Sequence, residues 1–191
     1  CSTTKISNMK HKLLFSLIGA IIIFVWQFLS FAMPNFHKSA MQYTPLQDSI
    51  LTGFQKMGLK EGMYVLGQPD PSLSSKEMSE AMKSFEGKPW AVLNYQESMA
   101  SGMAMPMIRG LLVCFVISFL LFWIFLQQKN PTLVNRLLLS LAIGVIGFFF
   151  TPYTNFIWYK EPDIFAYLAD GIVPWLILGF IGHKMALKAA K

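Results

Sequence analysis

The chain has 191 residues, of which 54% are hydrophobic and only 14% charged, with a formal net charge of +6. A soluble domain of this size is nearer a quarter charged, so the composition excludes an ordinary water-facing core and points to lipid. Two cysteines, Cys1 and Cys114, one terminal and one inside an apolar run, form no CxxC, zinc or disulfide pattern.

Residues 1–12 are polar and basic, with Lys5, Lys10 and Lys12. Met9-Lys10-His11-Lys12 ahead of an apolar run is the pattern of a bacterial start, and residues 1–8 then read as an over-long frame. Residues 13–33 carry no charge and, at ~1.5 Å per residue, cover the ~30 Å of hydrocarbon in a bilayer, so they read as a first transmembrane helix. Ser30-Phe31-Ala32 mimics a signal-peptidase site, but the apolar run exceeds the usual ~7–15 residues, which favours an uncleaved anchor. A lipid-modified Cys1 is a third reading of this end, and it sets Lys5, Lys10 and Lys12 against the usual charge bias.

Residues 34–109 have mixed patterning suited to a small packed unit. Tyr43 to Met57 spaces Leu46, Ile50, Leu51, Phe54 and Met57 as a helix would, with Thr44 before Pro45 as its start and Gly58 as its stop. Gly62 to Gly67 reads as a short strand followed by the turn-rich GQPDPS, and Trp90 to Tyr95 as a second strand. Between them, Ser74 to Phe85 has a capping box at Ser74 and Glu77 and an apolar face of Met78, Met82 and Phe85. A helical crossover between two strands of one sheet predicts a parallel pair. Two strands make a weak sheet, so this α/β segment is expected to lean on the membrane surface, on helix ends or on a partner.

Two further uncharged runs follow, residues 110–128 and residues 137–159, and then a fourth, less clean span, residues 164–187, with an apolar centre but interrupted by Asp170, Pro174, His183 and Lys184. The turn at 129–136 and the tail at 188–191 are basic, and residues 160–163 form a short loop. Lys5, Lys10, Lys12, Lys129, Arg136, Lys184, Lys188 and Lys191 gather on one side of this threading without a carboxylate, and all 10 carboxylates fall on the other. Cations resist translocation, so both termini are expected in the cytoplasm and residues 34–109 outside it. The absence of any Asn-x-Ser/Thr sequon suits a bacterial envelope. The expected fold class is a membrane all-α bundle of four transmembrane helices with a small extracytoplasmic α/β insertion between helices one and two.

Several groupings invite a chemical reading. Met99, Met103, Met105 and Met107 place soft thioethers before the second span, a set that suits Cu(I), although methionine also serves as plain apolar filler at a helix entrance. Asp170 is the one carboxylate within an apolar span, where ionisable groups mark ion pathways. It reads as a cap in the headgroup layer if the helix starts at Gly171, or as a buried hydrogen-bonding or transport carboxylate if the helix starts at Pro162. His183 and Lys184 belong to the opposite end of that span and are not paired with it. Ser140, Gly144, Gly147 and Thr151 on the third span, with Gly171, Gly179, Gly182 and Ala186 on the fourth, supply small faces for close packing. Cys114 and Ser118 give the second span a narrower stripe, so spans two to four are expected to bundle, with the thiol buried. Pro152 and Pro174 interrupt spans, and Tyr153, Phe156, Trp158 and Tyr159 form an interfacial aromatic belt or the wall of a ligand pocket. No HExxH, GxSxG, Walker A or GxGxxG motif occurs, and no basic stripe is left for nucleic acid.

Phe24-Val25-Trp26, Glu61-Gly62-Met63-Tyr64, Pro152-Tyr153 with Asn155, Phe156 and Trp158, and Asp170 with Trp175 and Gly179 resemble a set of bacterial four-span inner-membrane proteins of about this length and without an assigned activity. The similarity runs from Met9 to Lys188 and implies the same architecture without carrying over any catalytic residue. The expected function is therefore that of an integral membrane accessory or assembly protein, without catalysis or cofactor, bound to the bilayer and to a membrane-protein partner or further copies of itself. The alternatives are a small oligomeric transporter or channel component using Asp170, and extracytoplasmic Cu(I) handling by the methionines.

Overall fold

The computed structural model describes residues 2–99 and 101–189, with side chains described from residue 9 onward; Cys1, and with it the lipidation reading, lies outside the described residues. The chain divides into two compact units, residues 1–42 with 102–191, and residues 43–101. Each is built differently.

The first unit is helical: α1 (Ser2–Phe31), α4 (Ala104–Gln127), α5 (Leu133–Phe148), α6 (Thr154–Tyr159) and α7 (Ile164–Ala189). Met9–Phe31, Ala104–Gln127, Leu133–Tyr159 and Ile164–Ala189 are long and apolar enough to cross a membrane, as in a multi-pass membrane protein. The second span starts earlier than the uncharged run, because Pro106 and Arg109 fit within its first turns. α5 and α6 form one span joined by a π-turn at Phe149–Tyr153. Pro152 explains the widened turn, since its ring excludes a regular bond to the carbonyl of Phe148. The Thr154 hydroxyl recovers the Phe149 carbonyl at 3.1 Å. Lys160, at φ 54, then ends the helix in a left-handed cap.

Helix α1 runs antiparallel to α4 and α7, and α5 antiparallel to α7, whereas α4 and α7 run parallel, Phe125 meeting Gly182 near both C-terminal ends. Buried Phe15, Gly19, Ala20 and Ile23 form a stripe on α1 at helical spacing and meet Cys114, Ser118, Leu121, Phe122 and Phe125 of α4. Gly19 accepts the Ser118 side chain where a methyl group would collide with it. Phe15 stacks on Phe122 at 4.7 Å between centroids and tilts onto Phe125 at 6.5 Å, and Gly182 of α7 leaves the room those rings occupy. In lipid this layer holds by contact density, because apolar surface gains nothing by leaving a hydrocarbon solvent.

The expected grouping of spans two to four is thus corrected. The buried stripe of α4 faces α1, and α5 packs chiefly on α7. On α5 the buried residues are Arg136, Ser140, Gly144 and Phe148, one in every four, which is a single narrow seam. Gly144 lies against the Gly171 carbonyl and Trp175, Ser140 donates to the Trp175 carbonyl, and Gly179 fits against Ser140 and Leu137.

The second unit comprises α2 (Gln47–Lys56), β1 (Gly62–Leu66), α3 (Ser75–Phe85) and β2 (Ala91–Tyr95). The strands pair antiparallel, from Gly62 opposite Tyr95 to Leu66 opposite Ala91, which overturns the parallel expectation. The chain leaves β1 at Leu66 and returns beside it at Ala91, so residues 67–90 are an excursion closed at one end of the ribbon and not a crossover. Gly67, at φ +93, sits so close to Trp90 that a side chain there would collide with it. Helix α2 starts at Gln47, later than Thr44, and its Leu46 cap makes no side-chain bond.

The capping box on α3 is complete: the Ser74 hydroxyl accepts from the Glu77 N–H, and the Ser74 N–H donates to the Glu77 carboxylate at 3.0 Å. Donation from the Ser74 hydroxyl and then its N–H holds the Glu77 carboxyl below the usual carboxylate range. A lowered pKa makes the cap's contribution complete at neutral pH and loses it as pH falls through that pKa. Ser74→Ala is expected to weaken α3 by about 1 kcal/mol. Amide exchange at Ser75 to Met78 should accelerate accordingly, and unchanged exchange there would show the cap to be idle.

Candidate functional site

Buried His37 meets the Asp170 carboxylate where α1 ends and α7 begins. Trp26 and Ser30, four apart, share a face of α1, and Tyr167 and Asp170, three apart, share a face of α7. Beyond Phe31 the chain turns back on itself: Asn35 takes a left-handed φ of 59, and the Phe36 N–H donates to the Ser30 carbonyl at 2.7 Å. This reversal carries His37 onto Phe31, ring on ring at 4.0 Å with an interplanar angle of 4°. The Ala40 N–H donates to the Asp163 carboxylate at 2.8 Å, tying the reversed segment to the turn before α7.

Asp170 collects three donors. Trp26 Nε1 donates to its Oδ1 at 2.8 Å, Ser30 Oγ donates to the same oxygen at 2.7 Å, and His37 Nε2 stands 3.0 Å from Oδ2. His37 is wholly buried, and Tyr167 packs edge-on to it at 4.4 Å while donating its hydroxyl to Glu161 at 2.8 Å. A carboxylate facing Nε2 requires the proton on that nitrogen. His37 Nδ1 is then left without a partner, as is the Oδ1 of Asn35 in the reversal. Chemically, the arrangement is a carboxylate whose lone pairs are largely occupied, so it clamps two helices and a return segment together in a region of low dielectric.

Asp170 lies in the second turn of a helix beginning at Ile164, not at an N-cap, so the interfacial-cap alternative is set aside. The sequence reading missed His37, and it did not connect Trp26 or Ser30 to Asp170. The available signal was slight: a lone histidine just past a span, with an Asn two residues before it that permits a left-handed turn.

The other candidates stand apart from this node. Met103, Met105 and Met107 are at least half exposed at the start of α4, where ~100° per residue turns Met105 away from the other two. Met99, 96% exposed, belongs to the 43–101 unit. Ser140, Gly144 and Gly179 line the α5–α7 seam and Gly182 the aromatic layer, whereas Gly147 faces open space and Thr151 is exposed. Pro152 makes the π-turn, and Pro174 is buried within α7. Tyr153, Phe156, Trp158 and Tyr159 are all exposed, with Tyr153 touching Phe148, Phe149 and Phe156. His183 meets Arg136 at the far end of α7. Compared with family models, with curated proteins and with solved structures, the chain matches none.

Proposed function

We propose that this chain is a non-catalytic accessory protein of the bacterial inner membrane, with both termini cytoplasmic, whose extracytoplasmic residues 43–101 dock another membrane protein. The observation that carries this reading is the thin interior of that unit. Among its described residues only Pro69 and Tyr95 are buried, and neither α2 nor α3 contains a buried residue. Phe54 reaches Tyr95 edge-on at 5.7 Å, and the flanking Ile50, Leu51 and Met57 stay exposed on the same amphipathic helix. Leu51 also lines a cavity of about 470 Å³ with Gln55, Tyr95 and Met99. An apolar helix face beside a partly polar hollow suits a protein partner better than water.

A photo-crosslinker placed at Leu51 of the full chain in its own membranes tests this. One stoichiometric adduct, to a defined membrane protein, is expected from Leu51 and not from exposed Lys76 on α3. Equal labelling from both positions, with a monomeric mass in mild detergent, would sink the idea.

A further inference from the structure

At the end of the bundle opposite the clamp, a buried guanidinium has no counter-ion among the described residues. Arg136, 4% exposed in the first turns of α5, donates from Nη1 to the His183 carbonyl at 3.0 Å, and lies 5.7 Å over the Phe125 ring. Nη1 also stands 3.5 Å from His183 Nδ1, and Nη2 makes one long bond of 3.5 Å to the Phe125 carbonyl. Nε has no partner. Among the described residues no carboxylate occurs in the segments that meet here, the start of α1, the end of α4, the start of α5 and the end of α7, whereas Lys12, Lys129, Lys184 and Lys188 do. A charge withdrawn from water and left unpaired is among the most costly arrangements a protein can hold.

Three independent features identify what would neutralise it. The guanidinium edge formed by the unpartnered Nε and by Nη2, which makes only one long bond, is the pair of donors that meets two oxygens of a phosphate side by side. Arg136 lines a cavity of about 400 Å³ whose wall is apolar at Phe125 and Leu187 and polar at Gln128, Lys129 and Asn130. Gln128 Oε1 is buried there without a donor. The cavity lies at the end of helices long enough to span a bilayer, hence at headgroup depth, where basic pockets between helices recruit anionic lipid.

We infer that this cavity binds the phosphate of an anionic phospholipid whose headgroup bears a hydroxyl, such as phosphatidylglycerol. Arg136 forks the phosphate, Lys129 adds a second positive charge at the rim, and the Gln128 carbonyl accepts the headgroup hydroxyl. The inference rests on the spanning helices and is independent of the docking role of residues 43–101.

The test is native mass spectrometry of the delipidated full chain, titrated with phosphatidylglycerol or with phosphatidylcholine of the same acyl chains, with and without millimolar inorganic phosphate. Phosphatidylglycerol is expected to bind at least about tenfold more tightly than phosphatidylcholine and to resist displacement by phosphate. Arg136→Gln should abolish the preference, and Lys129→Gln, a surface change that leaves the fold intact, should reduce it about fivefold. Equal binding of the two lipids by the unaltered chain would overturn the inference, as would a folded Arg136→Gln protein or a Lys129→Gln protein that keeps the full preference. Displacement of the lipid by inorganic phosphate would assign the cavity to a soluble anion and overturn the lipid assignment.

Discussion

Replacing Asp170 by alanine is expected to destabilise the folded protein in detergent by about 3 kcal/mol or more, at about 1–3 kcal/mol for each buried donor left without its acceptor. Alanine strands three donors at once: the Trp26 indole N–H, the Ser30 hydroxyl and the His37 imidazole. None of the three has a second acceptor among the described bonds, and Ser30 and His37 are fully buried. The Trp26 indole N–H resonance should shift as its bond to Asp170 is lost, since that ring sits at the α1–α7 junction. Asp170→Asn should fall between alanine and the native residue. Its amide keeps one acceptor for Trp26 and Ser30 but turns an N–H towards His37, which then has to move its proton to the unpartnered Nδ1. His37→Ala should cost less than Asp170→Ala, and the double variant should reveal a coupling of about 1–3 kcal/mol between the two. Midpoints for Asp170→Ala within about 0.5 kcal/mol of the native protein would mean that water already satisfies the carboxylate.

Gly144→Ala is the second large effect, expected at about 2–3 kcal/mol through overpacking. A methyl group there collides with the Gly171 carbonyl and the Trp175 ring, neither of which can yield without moving α7. The separation would also pull the Ser140 hydroxyl from the Trp175 carbonyl. Gly147→Ala on the same helix is the matched control, because nothing lies within 4 Å of the added group. By itself it should be neutral or stabilise by up to about 1 kcal/mol, the ordinary gain of alanine over glycine in a helix. Thermal unfolding of both variants in one detergent settles the comparison, and equal midpoints would refute the close approach of α5 and α7.

The contrast between those two glycines shows what a sequence of this kind does and does not reveal. Long apolar runs mark four helices fit to span a membrane, because lipid imposes length and polarity on each helix separately. The α3 cap was legible for the same local reason, Ser74 and Glu77 standing within one turn of each other. Which small residues pack was not, since Gly144 and Gly147 differ only in whether α7 lies opposite. Strand direction escaped because the path of residues 67–90 decides it, not the strands themselves. Asp170 drew attention from its position alone, but its chemistry depends on His37, which lies 133 positions away and arrives through the left-handed turn at Asn35. A residue whose role comes from a reversal of the backbone and a distant helix leaves almost no trace in its own neighbourhood.

The narrow seam of α5 makes one helix responsible for its place in the bundle. The buried residues of α5 meet α7, where Ser140 and Gly144 fit Trp175 and Gly171. Helices α1 and α4 pack on each other in a layer to which α7 adds Leu178 and Ala186. Helix α7 is therefore common to both interfaces, and a change that shifts it disturbs each of them.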